Sequence, residues 1–351
     1  MVQAAARRPL RRDGRAPGWR ATFPMVKLEA SGNDFLVVLD AQGTGDAGDP
    51  RGADLVGDIR GAAVAGEPAS GVGFTPAQVR ALCDRRRGVG SDGLIVGRPA
   101  AGDADLEMVL YNADGSEAEM SGNGIRCLVH AAVVAGVVPV RDVRVATAAG
   151  LRTVAYEPAD DGGAWARVRM GPVRLGEEVA SPLPRTRARL ANVGNPHLVV
   201  AGDVDLGSVD LDSLGAGAAR AAGAPVNLEV VRPGLDGADL ALRVFERGVG
   251  ETLACGTGSC AAAAVARAWG MAGDTVTVDN PGGRLEVRLG PARTADGDGT
   301  EVCVDEVELG GPVRKVADVE VDAAFLVRAT ACSAADGEDV ARRVAPAHEV
   351  G

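Results

Sequence analysis

The same short pattern occurs twice in this chain, and that repetition constrains its fold more than any other feature. The first copy, Ser121-Gly122-Asn123-Gly124-Ile125-Arg126-Cys127, runs into Leu128-Val129-His130-Ala131-Ala132-Val133. The second, Cys255-Gly256-Thr257-Gly258-Ser259-Cys260, runs into Ala261-Ala262-Ala263-Ala264-Val265-Ala266. Each is a glycine-rich turn headed by a small nucleophile-type residue and opening an apolar helix. A second pair precedes them in the same order: Gly32-Asn33-Asp34-Phe35-Leu36-Val37-Val38 and Gly194-Asn195-Pro196-His197-Leu198-Val199-Val200. Two ordered pairs predict a duplicated domain with a site that faces one small substrate from both sides. That layout belongs to an enzyme.

Behind the first turn, Ile125, Leu128, Val129, Ala132 and Val133 recur at helical spacing, which predicts one buried face. The second helix is apolar nearly all round, as a helix wrapped by a sheet must be. A helix start carries unsatisfied N–H groups and a partial positive charge, and glycines there let the backbone close on a carboxylate or phosphate. The same field is expected to lower a thiol at that position from about 8.5 toward neutrality, so Cys255 is the candidate thiolate. Cys127 and Cys260 lie within the helices and read as small core residues.

Composition removes several function classes. At 351 residues the chain can hold two cores, and its net charge of −11 argues against nucleic acid or an anionic membrane surface as partner. Apolar stretches such as Ala131–Val140 fall short of the roughly 20 residues a membrane helix needs. The six cysteines form no dense framework, so reduced thiols in a cytoplasm are expected. No C-x₂-C pair exists and the three histidines are scattered, so no metal site is expected. Gly88-Val89-Gly90-Ser91-Asp92-Gly93 matches a dinucleotide fingerprint literally, but it follows a helix and precedes strand-like Leu94-Ile95-Val96. That order is reversed from what the fingerprint requires.

Along the chain, Arg- and Ala-rich residues 1–24 read as a disordered arm or an over-extended gene start, with Met25 as the alternative initiator and a basic targeting arm as the other option. A first domain spans 25–148, interrupted by a Gly/Asp/Ala-rich loop insertion at 41–74. Thr75-Pro76-Ala77-Gln78 starts a helix within it. A second, strand-rich domain spans 149–313, with a turn at Asp296–Gly299. Residues 314–330 return to the first domain as a strand, and 331–351 form a tail. The polar clusters Asn112-Ala113-Asp114-Gly115-Ser116, Asn195-Pro196-His197 and Glu246-Arg247-Gly248 each flank a strand. Singly each reads as a turn, yet their Asn and Arg side chains suit an amino-acid carboxylate.

Together these blocks resemble the diaminopimelate epimerase family, cofactor-independent amino-acid epimerases of lysine and cell-wall precursor biosynthesis. The resemblance runs from about Met25 to Thr330. It implies an α/β (α+β) fold of two pseudo-symmetric domains, each a curved, mostly antiparallel sheet or barrel around a central helix, with the active site in the cleft between them. It implies proton abstraction and reprotonation at the α-carbon of LL-2,6-diaminopimelate, without cofactor, giving the meso isomer. The catalytic positions carried over are Cys255, Ser121, His197 and Glu246. Matching substrate contacts are Asn33, Asn112, Gly122, Asn123, Asn195, Asn227, Glu246, Arg247, Gly256 and Thr257. A small amino acid is the expected partner, and a homodimer is one oligomeric state that fits.

Two departures stand out. Ser121 occupies the position of a second catalytic cysteine, and a hydroxyl is a poor base without a neighbour to take its proton. Gly93 stands where some members carry a ligand-contacting Gln. The alternatives are a proline- or hydroxyproline-type epimerase or dehydratase, and a catalytically impaired ligand-binding homologue.

Overall fold

Two strands much longer than the rest, β8 (Ala164–Val179) and β17 (Val302–Asp322), pair antiparallel along most of their length and form a ribbon shared by two barrels. The structure is a computed structural model that describes residues 22–40, 73–235, 239–294 and 302–329. Before the ribbon come β1 (Thr22–Ala30), β2 (Asn33–Leu39), α1 (Pro76–Cys83), β3 (Gly93–Pro99), β4 (Leu106–Asn112), β5 (Glu117–Ala118), α2 (Gly122–Val134), β6 (Val143–Thr147) and β7 (Gly150–Pro158). Between its strands come β9 (Arg187–Asn192), β10 (Pro196–Ala201), α3 (Leu211–Ala222), β11 (Asn227–Pro233), β12 (Leu240–Glu246) and β13 (Gly250–Thr252). They are followed by α4 (Gly256–Ala268), β14 (Thr275–Asn280), β15 (Gly283–Leu289) and β16 (Ala292–Thr294).

Pairing closes two rings. The first runs β1-β2-β3-β4-β6-β7, then through the first part of β8 to the last part of β17 and back to β1. The second runs β9-β10-β11-β12-β14-β15, then through the first part of β17 to the last part of β8 and back to β9. Element by element the second ring repeats the first. In each, two strand pairs are parallel, β2–β3 and β4–β6 against β10–β11 and β12–β14, and helices supply the crossovers that parallel pairing needs. The helices α2 and α4 thread their rings and touch nearly every strand around them, while α1 and α3 cover the outside. Strands covered on both faces are buried throughout, as β10 and β11 are over most of their length; β15 alternates.

Core energetics follow from this wrapping. Ile125, Leu128 and Val129 are fully buried inside the first ring, each large side chain contributing about 1.5–3 kcal/mol. Ala261–Ala266 on α4 are buried on every side, because short side chains leave room for the surrounding strands.

The two-domain fold expected from the duplication is present, but its boundary is not at residue 148. The pairing of β7 with both β6 and β8 keeps β7 in the first ring, and the hand-over lies inside β8 near Gly171. The return strand is the end of β17, Arg314–Asp322, against β1; residues 323–329 are helical instead. The strand β1 begins at Thr22, within the segment expected to be an extension. There Phe23 is buried and meets the Phe74 ring edge-on at 5.6 Å. Residues 1–21, 41–72, the Asp296–Gly299 turn and the 331–351 tail lie outside the described residues.

A chain beginning at Met25 therefore removes a core residue. Replacing Phe23 by Ala in the full chain is expected to cost about 3–5 kcal/mol in urea unfolding. A change within about 0.5 kcal/mol would show that the start of β1 does not pack.

Candidate active site

The two glycine turns meet head to head. Ser121 is the N-cap of α2 and Cys255 the N-cap of α4, both with extended backbone. Their side chains do the same local job: Ser121 Oγ accepts the Gly124 N–H at 3.0 Å, and Cys255 Sγ accepts the Gly258 N–H at 3.4 Å. Behind them Gly122 and Gly256 face each other: a Cβ on Gly256 would lie in ordinary contact with Gly122 Cα at 3.5 Å and 2.7 Å from Leu309 Cδ2. A methyl at either glycine would have to displace the tip of Leu309.

Around Cys255 the surroundings are polar and titratable. Its thiol hydrogen-bonds the Glu246 carboxylate at the end of β12, and Glu246 also accepts a short hydrogen bond from Thr252 Oγ1. Sγ lies 3.4 Å from Thr257 Oγ1, which accepts from Asn195 Nδ2 at 3.4 Å. The Asn195 Oδ1 atom is 2.9 Å from His197 Nε2, and His197 Nδ1 is 2.7 Å from Glu229 Oε1. Both His197 and Glu229 are completely buried.

This setting overturns the expectation of a thiol lowered toward neutrality. Burial, then the charges of Glu246 and Glu229, push Cys255 well above the ordinary thiol range. The Thr257 hydroxyl and the Gly258 N–H pull the other way and are outweighed. Resting Cys255 is a thiol. Burial likewise raises Glu246, despite its hydrogen bonds from Thr252 and Cys255. Cys127 and Cys260, fully buried within α2 and α4, are pushed up to about 12 by burial and stay inert.

Around Ser121 the equivalent positions are neutral. Register makes Phe35 on β2 the counterpart of His197, and Ile95 on β3 the counterpart of Glu229. Asn112 closes β4 where Glu246 closes β12, and Ala118 stands where Thr252 does. The polar groups on this side form a fixed chain. Buried Arg126 donates to the Gly122 carbonyl at 3.1 Å, to Ser31 Oγ at 3.1 Å and to Asn123 Oδ1 at 2.8 Å. Asn123 Nδ2 donates to Asn33 Oδ1 at 2.5 Å, and Asn33 Nδ2 to Asp92 Oδ2 at 3.2 Å. Burial raises the Asp34 carboxyl, but Arg85 and Lys27 hold it below its usual range and anchor the end of the chain.

The helix starts thus gather Ser121, Gly122, Asn123 and Asn33 with Asn195, His197, Glu246, Cys255, Gly256 and Thr257. Three other candidates stand apart. Asn112 is exposed and donates to Ser116 Oγ in its own turn. Asn227 is buried and accepts the Arg247 backbone N–H at 2.9 Å, while Arg247 itself is exposed at the β12–β13 hairpin. A side chain at Gly93 would meet the Tyr111 carbonyl at 2.6 Å, so no Gln fits there unless the strands shift. Glu229, Thr252 and the Arg126 network did not stand out in the sequence.

With that geometry in place, comparison with known proteins is decisive. The family model for diaminopimelate epimerase matches residues 63–176 and 189–306. The chain belongs to the diaminopimelate epimerase family. The diaminopimelate epimerase of Azoarcus sp. (strain BH72) is 35% identical over 310 residues, covering 82% of this chain and 98% of that protein. Its counterpart in Archaeoglobus fulgidus is 34% identical, covering 75% and 88%. Among solved structures, a PhzF-family phenazine biosynthesis protein of Bacillus anthracis superposes with a TM-score of 0.61 at 15% identity, over 86% of this chain and 99% of that one. A hydroxyproline epimerase from Agrobacterium vitis with bound trans-4-hydroxy-L-proline gives 0.60 at 18%, over 86% and 93%. At those identities the likeness is one of fold.

Gly256→Ala should drive its methyl into the tip of Leu309, and overpacking of this kind costs about 1–3 kcal/mol. Urea unfolding indistinguishable from wild type would mean that Leu309 does not pack tightly against this helix start.

Proposed function

We propose that this chain interconverts LL- and meso-2,6-diaminopimelate by moving a proton at one α-carbon, with no cofactor. The observation that carries the reading is the pair of N-caps, Ser121 and Cys255, converging from two pseudo-equivalent barrels. Inversion needs one group to remove a proton from one face of the α-carbon and another to deliver a proton to the opposite face. Family membership supplies the substrate.

Each group has a role that its surroundings support. Cys255 removes or returns the proton on one face. The substrate α-carboxylate is received by the N–H groups of the two helix starts, where Gly122, Asn123, Gly256 and Thr257 leave the backbone open to an anion. Glu246 takes the α-ammonium, whose positive charge offsets the carboxylate that keeps Cys255 protonated, so bound substrate frees the thiol to act as a base. His197 and Asn195 hold Thr257 beside the sulfur. Asn33, Asn112, Asn227 and Arg247 contact the remainder of the ligand. Lysine and peptidoglycan precursor synthesis and a cytoplasmic location accompany this reading, and among the described residues no helix is long and apolar enough to cross a membrane.

Ser121 sets the pace. Uncharged Phe35, Ile95 and Asn112 hold the places that His197, Glu229 and Glu246 hold on the other side, so the step on its face is the slower one. Because both N-caps make the same hydrogen bond in the same backbone conformation, a thiol fits at 121 without rearrangement.

Incubation with LL-diaminopimelate and chiral separation of the products tests the assignment. The meso isomer should form, while L-proline and trans-4-hydroxy-L-proline remain unchanged. Cys255→Ala should lose at least about 10²–10⁴-fold in rate. Ser121→Cys should gain roughly tenfold or more, about 1.4 kcal/mol of barrier. No meso product from the wild type and from Ser121→Cys would refute the reading. Full activity in Ser121→Ala would remove Ser121 from the mechanism.

A further inference from the structure

Beneath the first turn of α4 lies a carboxylate that the proposed reaction does not use. Glu229 sits in the middle of β11, completely buried. Its Oε1 contacts His197 Nδ1 at 2.7 Å, and its Oε2 has no hydrogen-bond partner. The side chain nests directly under the turn: a Cβ on Gly258 would be 2.6 Å from Oε1 and 3.2 Å from Cγ. The Gly258 N–H is the one that Cys255 Sγ accepts. In the first barrel the same place under Gly124 is held by Ile95, whose Cδ1 would lie 3.1 Å from a Cβ there. A buried, half-satisfied carboxylate is expensive, and an apolar residue serves the same position well in the other barrel.

We propose that Glu229 is a positioning residue for Cys255: its carboxylate under the α4 turn, linked through His197, Asn195 and Thr257 to the sulfur, favours the protonated sulfur whether or not substrate is bound. The proposal rests on the role given to Cys255 above and adds the element that makes the two sides of the site chemically unequal. Among the described residues, the charges that bear on Cys255 come from two strands, Glu246 from β12 and Glu229 from β11, with His197 on β10 bonded to Glu229. From α2 the turn at Gly122 approaches Gly256 beside it. Glu246 is reserved for the substrate ammonium. Glu229 is out of ligand reach beneath the helix, so its charge acts in both free and bound enzyme. Removing a like charge favours the thiolate.

The test titrates Cys255 without substrate, by the ultraviolet absorbance of the thiolate, taking each protein minus its own Cys255→Ser partner. Glu229→Gln keeps the shape and removes the charge, so the Cys255 midpoint should move to lower pH. Glu229→Asp keeps the charge but withdraws it from the turn, and its midpoint should fall between the other two. In turnover, Glu229→Gln should shift the pH profile in the direction where Cys255 is the base, with KM unchanged. A Gln midpoint at or above the wild-type value overturns the proposal, as does an Asp midpoint at or below the Gln value. If the Gln variant does not fold, the Asp variant decides: a midpoint below wild type supports the proposal, and an unmoved one refutes it. Because the titration uses no substrate, its outcome is separate from whether diaminopimelate is turned over.

Discussion

Two helix starts that meet glycine to glycine form the constraint on which this structure turns. Aligned peptide dipoles place partial positive charge at each end, so the approach of α2 and α4 is unfavourable unless negative charge lies between or beside them. The barrels overcome that repulsion by packing. The helices α2 and α4 are encased in closed rings of strands, and the ribbon of β8 and β17 runs through both rings and fixes one against the other. What remains at the junction is a cluster of outward-facing N–H groups, suited to an anion such as a carboxylate.

On this symmetric frame the chemistry is asymmetric. By register, Phe35, Ile95, Asn112 and Ala118 on the Ser121 side correspond to His197, Glu229, Glu246 and Thr252 on the Cys255 side. The cysteine that the family resemblance implies at position 121 is therefore missing from the side whose counterparts of His197, Glu229 and Glu246 are uncharged. A hydroxyl there costs little in stability, since it caps its helix as well as a thiol does. Under the proposed mechanism its cost is kinetic.

The duplication was legible in the sequence because it rests on glycine turns and on helical periodicity, both local signals. The positions along the chain of β2, β3 and β4, and of β10, β11 and β12, followed from short apolar runs. The α3 helix was not legible, because Gly215 and Gly217 disguise its apolar face as a loop; its Asp210 cap, bonded to the Ser213 N–H, was the available clue. Glu229 was hidden for a different reason. It sits in a strand-like run, and only the parallel pairing of β10 with β11 places it against His197, 32 residues away. The thiol of Cys255 was misjudged on the same ground: the helix field is a local property, whereas the opposing carboxylates arrive from β11 and β12.

The most direct measurement follows deuterium from D₂O into both the unreacted substrate and the product, starting separately from LL- and meso-diaminopimelate. With a slow step at Ser121, the isomer whose α-hydrogen faces Cys255 should gain deuterium in the unreacted pool faster than its epimer appears. The isomer whose α-hydrogen faces Ser121 should carry deuterium in the product alone. Equal behaviour of the two isomers, with label confined to product in both, would contradict an asymmetric site.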